Sequence, residues 1–407
     1  MVAYHLPPFK GSSGVQRTLR FVQYLPEFGW KPVLLAPHER AYPACAPESA
    51  VDIPSTVPIK RAFALDIARH VAIRGAYPTW LALPDRYNTW LLGDVPAGLS
   101  LIRRYRPKAI WTTYPVATAH LIGYALHKLS GLPWVADFRD PMLYEAWPEE
   151  PLLRRAHGWV ERLVAANAAK IVCVTPGALQ LYQTRYSETN AQKVVLIPNG
   201  YDETSFAGIV RSPARQGGPR KLVHSGLLEP EDRDPTAFFE ALRDLKASGS
   251  VSRERLQVVL RGSGFDGRYR AQIETLGLSD IVSLQPFVAY REALREIVDA
   301  DGLLLFQGPT CNRQIPAKAY EYLRAGTPIL SISDPLGDTA KLLSQVPQCS
   351  AAVFGDAQQI AAALTAFLNG LGAGKSRDPA GKIALRYERR AVTRSLAALL
   401  DEVAMPF

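Results

Sequence analysis

Short apolar runs alternate with amphipathic stretches along the whole of this chain, and that rhythm narrows the available folds more than any other feature. In the first half the candidate strands are 1–5, Trp30–Ala36, Ala109–Thr113, Trp134–Phe138, Ile171–Val174 and Val194–Ile197, with helical patterns such as Val15–Phe28 and Pro115–Leu129 between them. Strand–helix alternation of this kind builds a parallel sheet covered by helices on both faces. A polar stretch rich in Gly and Pro, Arg211–Arg220, reads as a linker. The alternation restarts with Lys221–Ser225, Leu256–Leu260, Ile281–Leu284, Gly302–Phe306, Ile329–Ile332 and Ala351–Phe354, and closes on a long Arg- and Leu-rich helical pattern over Ile383–Val403. The expected fold is α/β: two Rossmann-like, doubly wound parallel-sheet domains, 1–200 and 201–382, with a terminal helix within 383–407. Such sheets bind ligands at the carboxyl ends of their strands, so the expected site is a cleft that both sets of strand ends face.

A chain of 407 residues has room for two such cores, and an apolar content of 47% suits a globular protein. Cys45, Cys173, Cys311 and Cys349 show no paired spacing. That argues against a zinc site or a disulfide framework and for a reducing, cytoplasmic setting. No apolar run approaches the ~20 residues needed to span a bilayer, and no signal pattern is expected at the N-terminus. The formal net charge of +9 is lopsided: residues 1–200 carry 22 Lys and Arg against 14 Asp and Glu, and the remainder 25 against 24. A basic first half is either a solubilising surface or a surface for an anionic partner. No nucleic-acid motif and no aromatic–basic stripe accompanies it, so a nucleic-acid partner is not expected and the anionic candidate is a lipid headgroup or lipid phosphate.

The chemistry-bearing residues sit where strands are expected to end. The loop Pro7–Gly14 precedes a helix carrying Gln16 and Arg17; its glycines admit a ligand to the backbone, and a helix start favours an anion. Trp111-Thr-Thr-Tyr114 and Asp137-Phe138-Arg139-Asp140 end two further strands, and the charges of the second either face a ligand or form a loop ion pair. Pro198-Asn199-Gly200 suits a tight turn. In the second half, Ser225-Gly226 and Arg261-Gly262-Ser263-Gly264 end strands in glycine. Arg233 is a candidate cation for a diphosphate, His224 reads as a packed strand residue, and Phe287 offers an apolar wall for a base. The most informative stretch is Ile315–Pro328. Pro316 suits a helix start, and Lys318 and Glu321, three apart, share a helix face. Glu321 presents two acceptor oxygens to the two hydroxyls of a ribose, and Lys318 a cation to phosphate. The same spacing also fits an exposed ion pair worth only a few tenths of a kcal/mol.

In order along nearly the whole chain, the Gly11–Arg17 segment, Pro84-Asp85 with Trp90, Asp137–Pro141, Pro198–Asp202 and above all Pro316–Pro328 resemble glycosyltransferase family 4 and its bacterial surface-polysaccharide branch. The resemblance implies a GT-B fold whose terminal helix crosses back to domain one. It also implies sugar transfer with retention at the anomeric carbon, with no metal and no cofactor beyond a UDP- or GDP-linked sugar donor. On this reading Gly14, Ser225, Gly226, Arg233, Arg261, Gly262, Phe287, Arg313, Lys318 and Glu321 bind the donor. Ser13, Arg17, Tyr114 and Asp137 bind a lipid-linked sugar or glycan acceptor, and Arg139 and Asp140 are catalytic. Two positions depart from the family pattern: Arg313 stands where an acid is common, and Arg139 where a histidine is common. They keep two other readings open, a catalytically silent nucleotide- or sugar-binding scaffold subunit and a nucleotide-sugar 2-epimerase. The basic runs Arg103–Lys108 and Arg154-Arg155, with apolar residues between Trp80 and Trp90, suggest reversible peripheral attachment at the inner membrane face.

Overall fold

The structure, a computed structural model, describes residues 1–10, 13–46, 52–144, 147–187, 191–212, 217–371 and 381–405. The chain forms two compact units, Met1–Asn199 with Arg389–Phe407, and Gly200–Glu388.

Unit 1 is a parallel sheet wrapped by helices. Its strands are β1 (Leu34–Pro37), β2 (Ile59–Ala62), β3 (Ile110–Thr113), β4 (Trp134–Arg139), β5 (Lys170–Cys173) and β6 (Val194–Leu196). β3 to β6 pair in sequence order, and β1 pairs with β2. Val2 bridges β1 and β3, through Val2 N to Trp111 O and Ala3 N to Leu35 O, so the N-terminal residues lie between them. All six residues of β4 are buried, as a central parallel strand requires. The helices are α1 (Ser13–Tyr24), α2 (Ile67–His70), α3 (Trp90–Tyr105), α4 (Thr118–Ser130), α5 (Pro151–Asn167) and α6 (Pro176–Arg185). Both α5 and α6 begin on proline behind a side-chain cap, Glu150 and Thr175 respectively.

Unit 2 is a six-stranded parallel sheet of β7 (Arg220–Ser225), β8 (Leu256–Arg261), β9 (Val282–Gln285), β10 (Gly302–Gln307), β11 (Ile329–Ser333) and β12 (Cys349–Val353). The order β12-β11-β10-β7-β8-β9 places the topological switch point between β7 and β10. Its helices are α7 (Glu203–Phe206), α8 (Thr236–Ala247), α9 (Asp266–Thr275), α10 (Tyr290–Asp299), α11 (Ala317–Ala325), α12 (Asp338–Leu343), α13 (Ala357–Gly370) and α14 (Lys382–Leu385). Apolar clusters cover both faces: Phe238, Phe239 and Phe306 lie in one, and Leu303, Leu305 and Tyr320 in the other.

The doubly wound sheets follow the alternation in the sequence, with three differences. β2 reads Ile-Lys-Arg-Ala, an edge strand without the apolar run that marks a central one. The strand expected over 1–5 reduces to a bridge at Val2. The single helix expected over Ile383–Val403 is two helices, α14 and α15 (Arg389–Ala404). The break has a backbone cause: Tyr387 O accepts from Tyr201 N at 3.0 Å, and a Cβ added to Gly200 would lie 1.8 Å from that oxygen. α15 belongs to unit 1 and packs on α1.

A buried ion pair ties unit 1 together. Arg17 of α1 donates through Nε and Nη2 to the Asp137 carboxylate of β4, at 2.8 and 3.2 Å. It also reaches Ile197 O at 3.0 Å and Pro198 O at 2.8 Å, just beyond β6. Both side chains are sealed, at 1% and 0% exposure. The acceptor-binding roles assigned to Arg17 and Asp137 from sequence are therefore corrected: both side chains are buried, and their polar atoms bond to each other, to the Thr113 and Asn199 side chains and to the backbone. Asp137→Ala strands a buried guanidinium and is expected to destabilise the protein by about 3–5 kcal/mol. Denaturant unfolding of the purified variant checks this.

Candidate functional site

In unit 2 the charged side chains gather at the switch point. β7 ends in His224-Ser225-Gly226, and β10 ends in Gln307-Gly308. α11 begins beside them, behind Pro316. Lys318, in its first turn, points inward, and its Nζ lies 3.0 Å from His224 Nε2. The other ring nitrogen, Nδ1, lies 2.9 Å from Leu304 O. The pairing is consistent with a neutral imidazole that donates through Nδ1 and accepts from the ammonium at Nε2. Gly226 makes room for the amine: its φ is +112°, and an added Cβ would lie 2.9 Å from Nζ. Burial, and then the nearby Arg233, lower the Lys318 amine to about 7. Arg233 is held by Glu229 and by Gln307 Oε1 at 3.3 Å. Two cations and a helix N-terminus thus meet at the place where a doubly wound sheet receives ligands.

The other donor candidates divide. Glu321, one turn further along α11, accepts from Tyr290 OH at 2.7 Å. Ser225 N donates to Tyr322 OH at 3.0 Å, which fixes the end of β7. Phe287 is 66% exposed and faces Gly262, where an added Cβ would lie 2.5 Å from the ring, so ring and backbone form a flat wall. Arg313 stands in the turn before α11. Arg261 is corrected: its guanidinium forks onto Glu296 at 2.8 and 3.0 Å and onto Pro286 O at 3.1 Å, a structural tie to α10 that leaves Arg261 out of the cation cluster.

In unit 1 the corresponding cluster lies at the ends of β3 and β4. Arg139 leaves β4 at a register shift with φ +58°, an uncommon backbone state for a non-glycine residue. Its Nη1 donates to Tyr114 O at 3.2 Å, and its Nε has no partner among the described residues. An added Cβ on Gly14 would fall 2.2 Å from that guanidinium and 2.9 Å from His5 Nδ1, so Gly14 is the floor on which Arg139 rests. Burial holds the Arg139 guanidinium below its usual range, against the pull of Asp140 and Asp137. His5 stacks on Phe9 and is driven down to about 3 by burial and by Arg139, so it is neutral at physiological pH. Burial, then Asp140, raises the Tyr114 hydroxyl. The side chain of Ser13 lies outside the described residues.

Sequence reasoning missed His5, Gln307 and Tyr290. His5 lacks a motif, and Gln307 and Tyr290 act by holding Arg233 and Glu321, contacts that spacing does not reveal. His224 is the packed strand residue expected, at 0% exposure, and is also the partner of Lys318. Among the described residues, no three His, Cys, Asp or Glu side chains come together as a metal site.

The family model of the glycosyl transferase 4-like domain matches residues 13–200. The chain resembles the solved structure of alpha,alpha-trehalose 6-phosphate synthase from Burkholderia multivorans, with a TM-score of 0.69 and 14% identity over 99% of this chain and 96% of that one. It resembles Anabaena HepE in complex with UDP-glucose, with a TM-score of 0.67 and 12% identity over 98% and 99%. It also resembles WaaG, described as a glycosyltransferase involved in lipopolysaccharide biosynthesis, with a TM-score of 0.58 and 14% identity over 99% and 98%. At these identities the likeness establishes the fold, which is GT-B. No curated protein matches the chain significantly in sequence.

The lowered Lys318 amine makes a prediction about pH. A diphosphate diester such as UDP-glucose carries the same charge across the neutral range, so any change in its affinity there reports the protein. An anion beside Nζ favours the charged amine and binds best below about 7, where Lys318 is protonated before binding. Affinity is expected to be flat below that point and to fall by up to about tenfold per pH unit above it. Lys318→Met is expected to weaken binding and flatten the profile; calorimetry at a series of pH values checks both.

Proposed function

We propose that this glycosyltransferase, a GT-B enzyme whose residues 13–200 form a glycosyl transferase 4-like domain, moves a hexosyl or related sugar from a nucleoside diphosphate to a lipid-linked sugar or glycan in bacterial surface-polysaccharide assembly. The observation that carries this reading is the Lys318 amine, turned inward at the β7–β10 switch point beside Gly226 and Arg233. HepE, whose structure is described with UDP-glucose, supports a UDP-sugar as the first donor to test. WaaG supports a role in surface polysaccharide.

In this reading unit 2 holds the donor. The diphosphate lies against Lys318, Arg233 and the start of α11. The ribose hydroxyls donate to Glu321, which Tyr290 already orients through one oxygen, and the base lies on Phe287. The slow event is rupture of the bond between the anomeric carbon and the diphosphate oxygen, which adds a third negative charge to the departing nucleotide, the second on its terminal phosphate. Lys318 and Arg233 offset that charge, so a divalent metal is not required. Unit 1 holds the acceptor hydroxyl beside Tyr114, Arg139 and Asp140. In transfer with retention, the acceptor oxygen bonds to the anomeric carbon on the face the diphosphate leaves, and its proton passes to the departing phosphate oxygen or to Asp140. The enzyme works in the cytoplasm, at the inner face of the membrane that carries its acceptor.

Calorimetric titration with UDP, GDP, dTDP and ADP, followed by assay of free nucleotide from the matching nucleotide sugars, tests the reading. Binding without nucleotide release, in the presence of membrane extract as acceptor source, would instead mark a silent scaffold. Glu321→Ala is expected to weaken nucleotide binding by about 1.5–3 kcal/mol, the value of a charged hydrogen bond, and to reduce transfer to near zero. Unchanged affinity in the folded variant would remove Glu321 from the site. Transfer is expected to survive EDTA; loss of activity restored by magnesium or manganese would overturn the metal-independent mechanism.

A further inference from the structure

The strands of unit 1 run parallel, so β2 ends at Ala62 on the same edge as Thr113 of β3 and Arg139 of β4. From there the chain makes an excursion over residues 63–89 before α3 begins at Trp90. The root of the excursion is fixed. Thr89 Oγ1 accepts from Leu65 N at 2.9 Å and donates to Leu65 O at 3.1 Å. Asn88 Nδ2 donates to Leu81 O and Leu83 O at 2.7 and 3.0 Å. Asp85 accepts from Thr118 N at 2.7 Å, at the start of α4. The root also adjoins the Tyr114–Arg139 cluster: His157 Nε2 lies 3.1 Å from Pro84 O, and its ring meets that of Tyr114.

On this root the outer part presents apolar side chains to solvent. Arg74 (φ +52°) and Gly75 (φ +79°) close a tight turn across which Ile73 and Ala76 exchange both backbone hydrogen bonds at 3.0 Å. Ile73 beside that turn is 79% exposed, and Trp80 is 67% exposed. From Ile67 to Pro84 there is no Asp or Glu, while Arg69 and Arg74 are both exposed. Exposed Ile and Trp flanked by arginine and free of acid match the headgroup zone of an anionic bilayer, where tryptophan partitions and arginine meets lipid phosphate. Among the described residues no helix is long and apolar enough to cross a membrane, so the contact is peripheral.

We propose that the Val71–Trp80 segment docks into an anionic bilayer and so holds the Tyr114–Arg139 acceptor site at the membrane surface. The inference rests on the lipid-linked acceptor of the proposed function. It retains Trp80 from the membrane contact read from sequence and takes the Val71–Trp80 segment in place of Arg103–Lys108. Arg103–Lys108 ends α3 and leads into the amino end of β3, on the opposite edge of the sheet and a strand's length away, roughly 13 Å for four residues. Trp90, grouped with Trp80 in the sequence reading, is fully buried.

The test is co-sedimentation of the full chain with vesicles of equal parts phosphatidylglycerol and phosphatidylcholine, and with phosphatidylcholine alone, at low and high salt. The wild type is expected to partition to the anionic vesicles and to be released by salt. Ile73→Glu and Trp80→Ser are each expected to reduce partitioning about tenfold, and Arg104→Glu with Arg106→Glu to have a smaller effect than either. Both apolar sites are exposed, so folding is not at stake, and nucleotide affinity, which reads unit 2, is expected to stay at the wild-type value in every variant. Wild-type binding that Ile73→Glu and Trp80→Ser leave intact, or that the arginine pair abolishes first, would overturn the segment's role while leaving a membrane-bound acceptor standing. No partitioning of the wild type to either vesicle would defeat the membrane reading itself, and the inference with it.

Discussion

A parallel strand buried on both faces pushes polar chemistry toward its carboxyl end, and the candidate groups of this protein gather there, on the strand ends and on the helices and loops beside them. β4 carries Asp137 and Arg139 at its carboxyl end, with all six of its residues buried. β7 carries His224 and Ser225 at its end, and β10 carries Gln307. A charge within such a strand needs a partner from a covering helix, as Asp137 of β4 takes Arg17 of α1. At the ends, helix starts, glycine turns and neighbouring strands supply partners. The two units solve the same problem with different chemistry. Unit 1 closes its pair, Arg17 with Asp137, and leaves Arg139 Nε buried without a hydrogen-bond partner among the described residues. Unit 2 leaves the Lys318 amine resting on a neutral histidine.

Glycine decides how close these groups approach. Gly14 and Gly226 have different backbone states but the same function: each removes a Cβ that would strike a cationic side chain, Arg139 in one unit and Lys318 in the other. A serine or alanine at either position would push the cation out toward solvent and restore the hydration that its burial removes. For Lys318 the loss of hydration is the leading cause of its lowered amine. The glycine and the lowered amine are therefore one device.

The architecture was legible in the sequence because apolar runs and helical periods are local. Five strands of unit 1 and all six of unit 2 lie where those patterns fall, and β2 escaped because Ile-Lys-Arg-Ala has no run to detect. The roles of individual side chains were less legible, because a strand end specifies which residue is present and not which way it turns. Arg17 and Asp137 sit in motifs that suggest a ligand, yet they bind each other across 120 residues of sequence. Arg261 sits beside a glycine turn and folds back to Glu296. Lys318 and Glu321 share a helix face in the sequence reading, and the structure separates their contacts, one turned in to His224 and the other toward Tyr290.

The two departures from the family pattern both substitute arginine, and the substitution at 139 has a structural consequence. A histidine at that position would be a neutral or weakly charged group able to exchange a proton. Arg139 is instead a buried cation in a left-handed backbone state, seated on Gly14 beside a neutral His5, and its Nε has no hydrogen-bond partner among the described residues. Such a group does not act as a base, because a guanidinium keeps its proton even when burial weakens its hold. Its chemistry is to attract and orient negative charge. On the proposed function, such a group suits an acceptor with an anion near its reacting hydroxyl, as a sugar linked through pyrophosphate to a lipid would be, and Asp140 and the departing phosphate are then the groups able to take the proton.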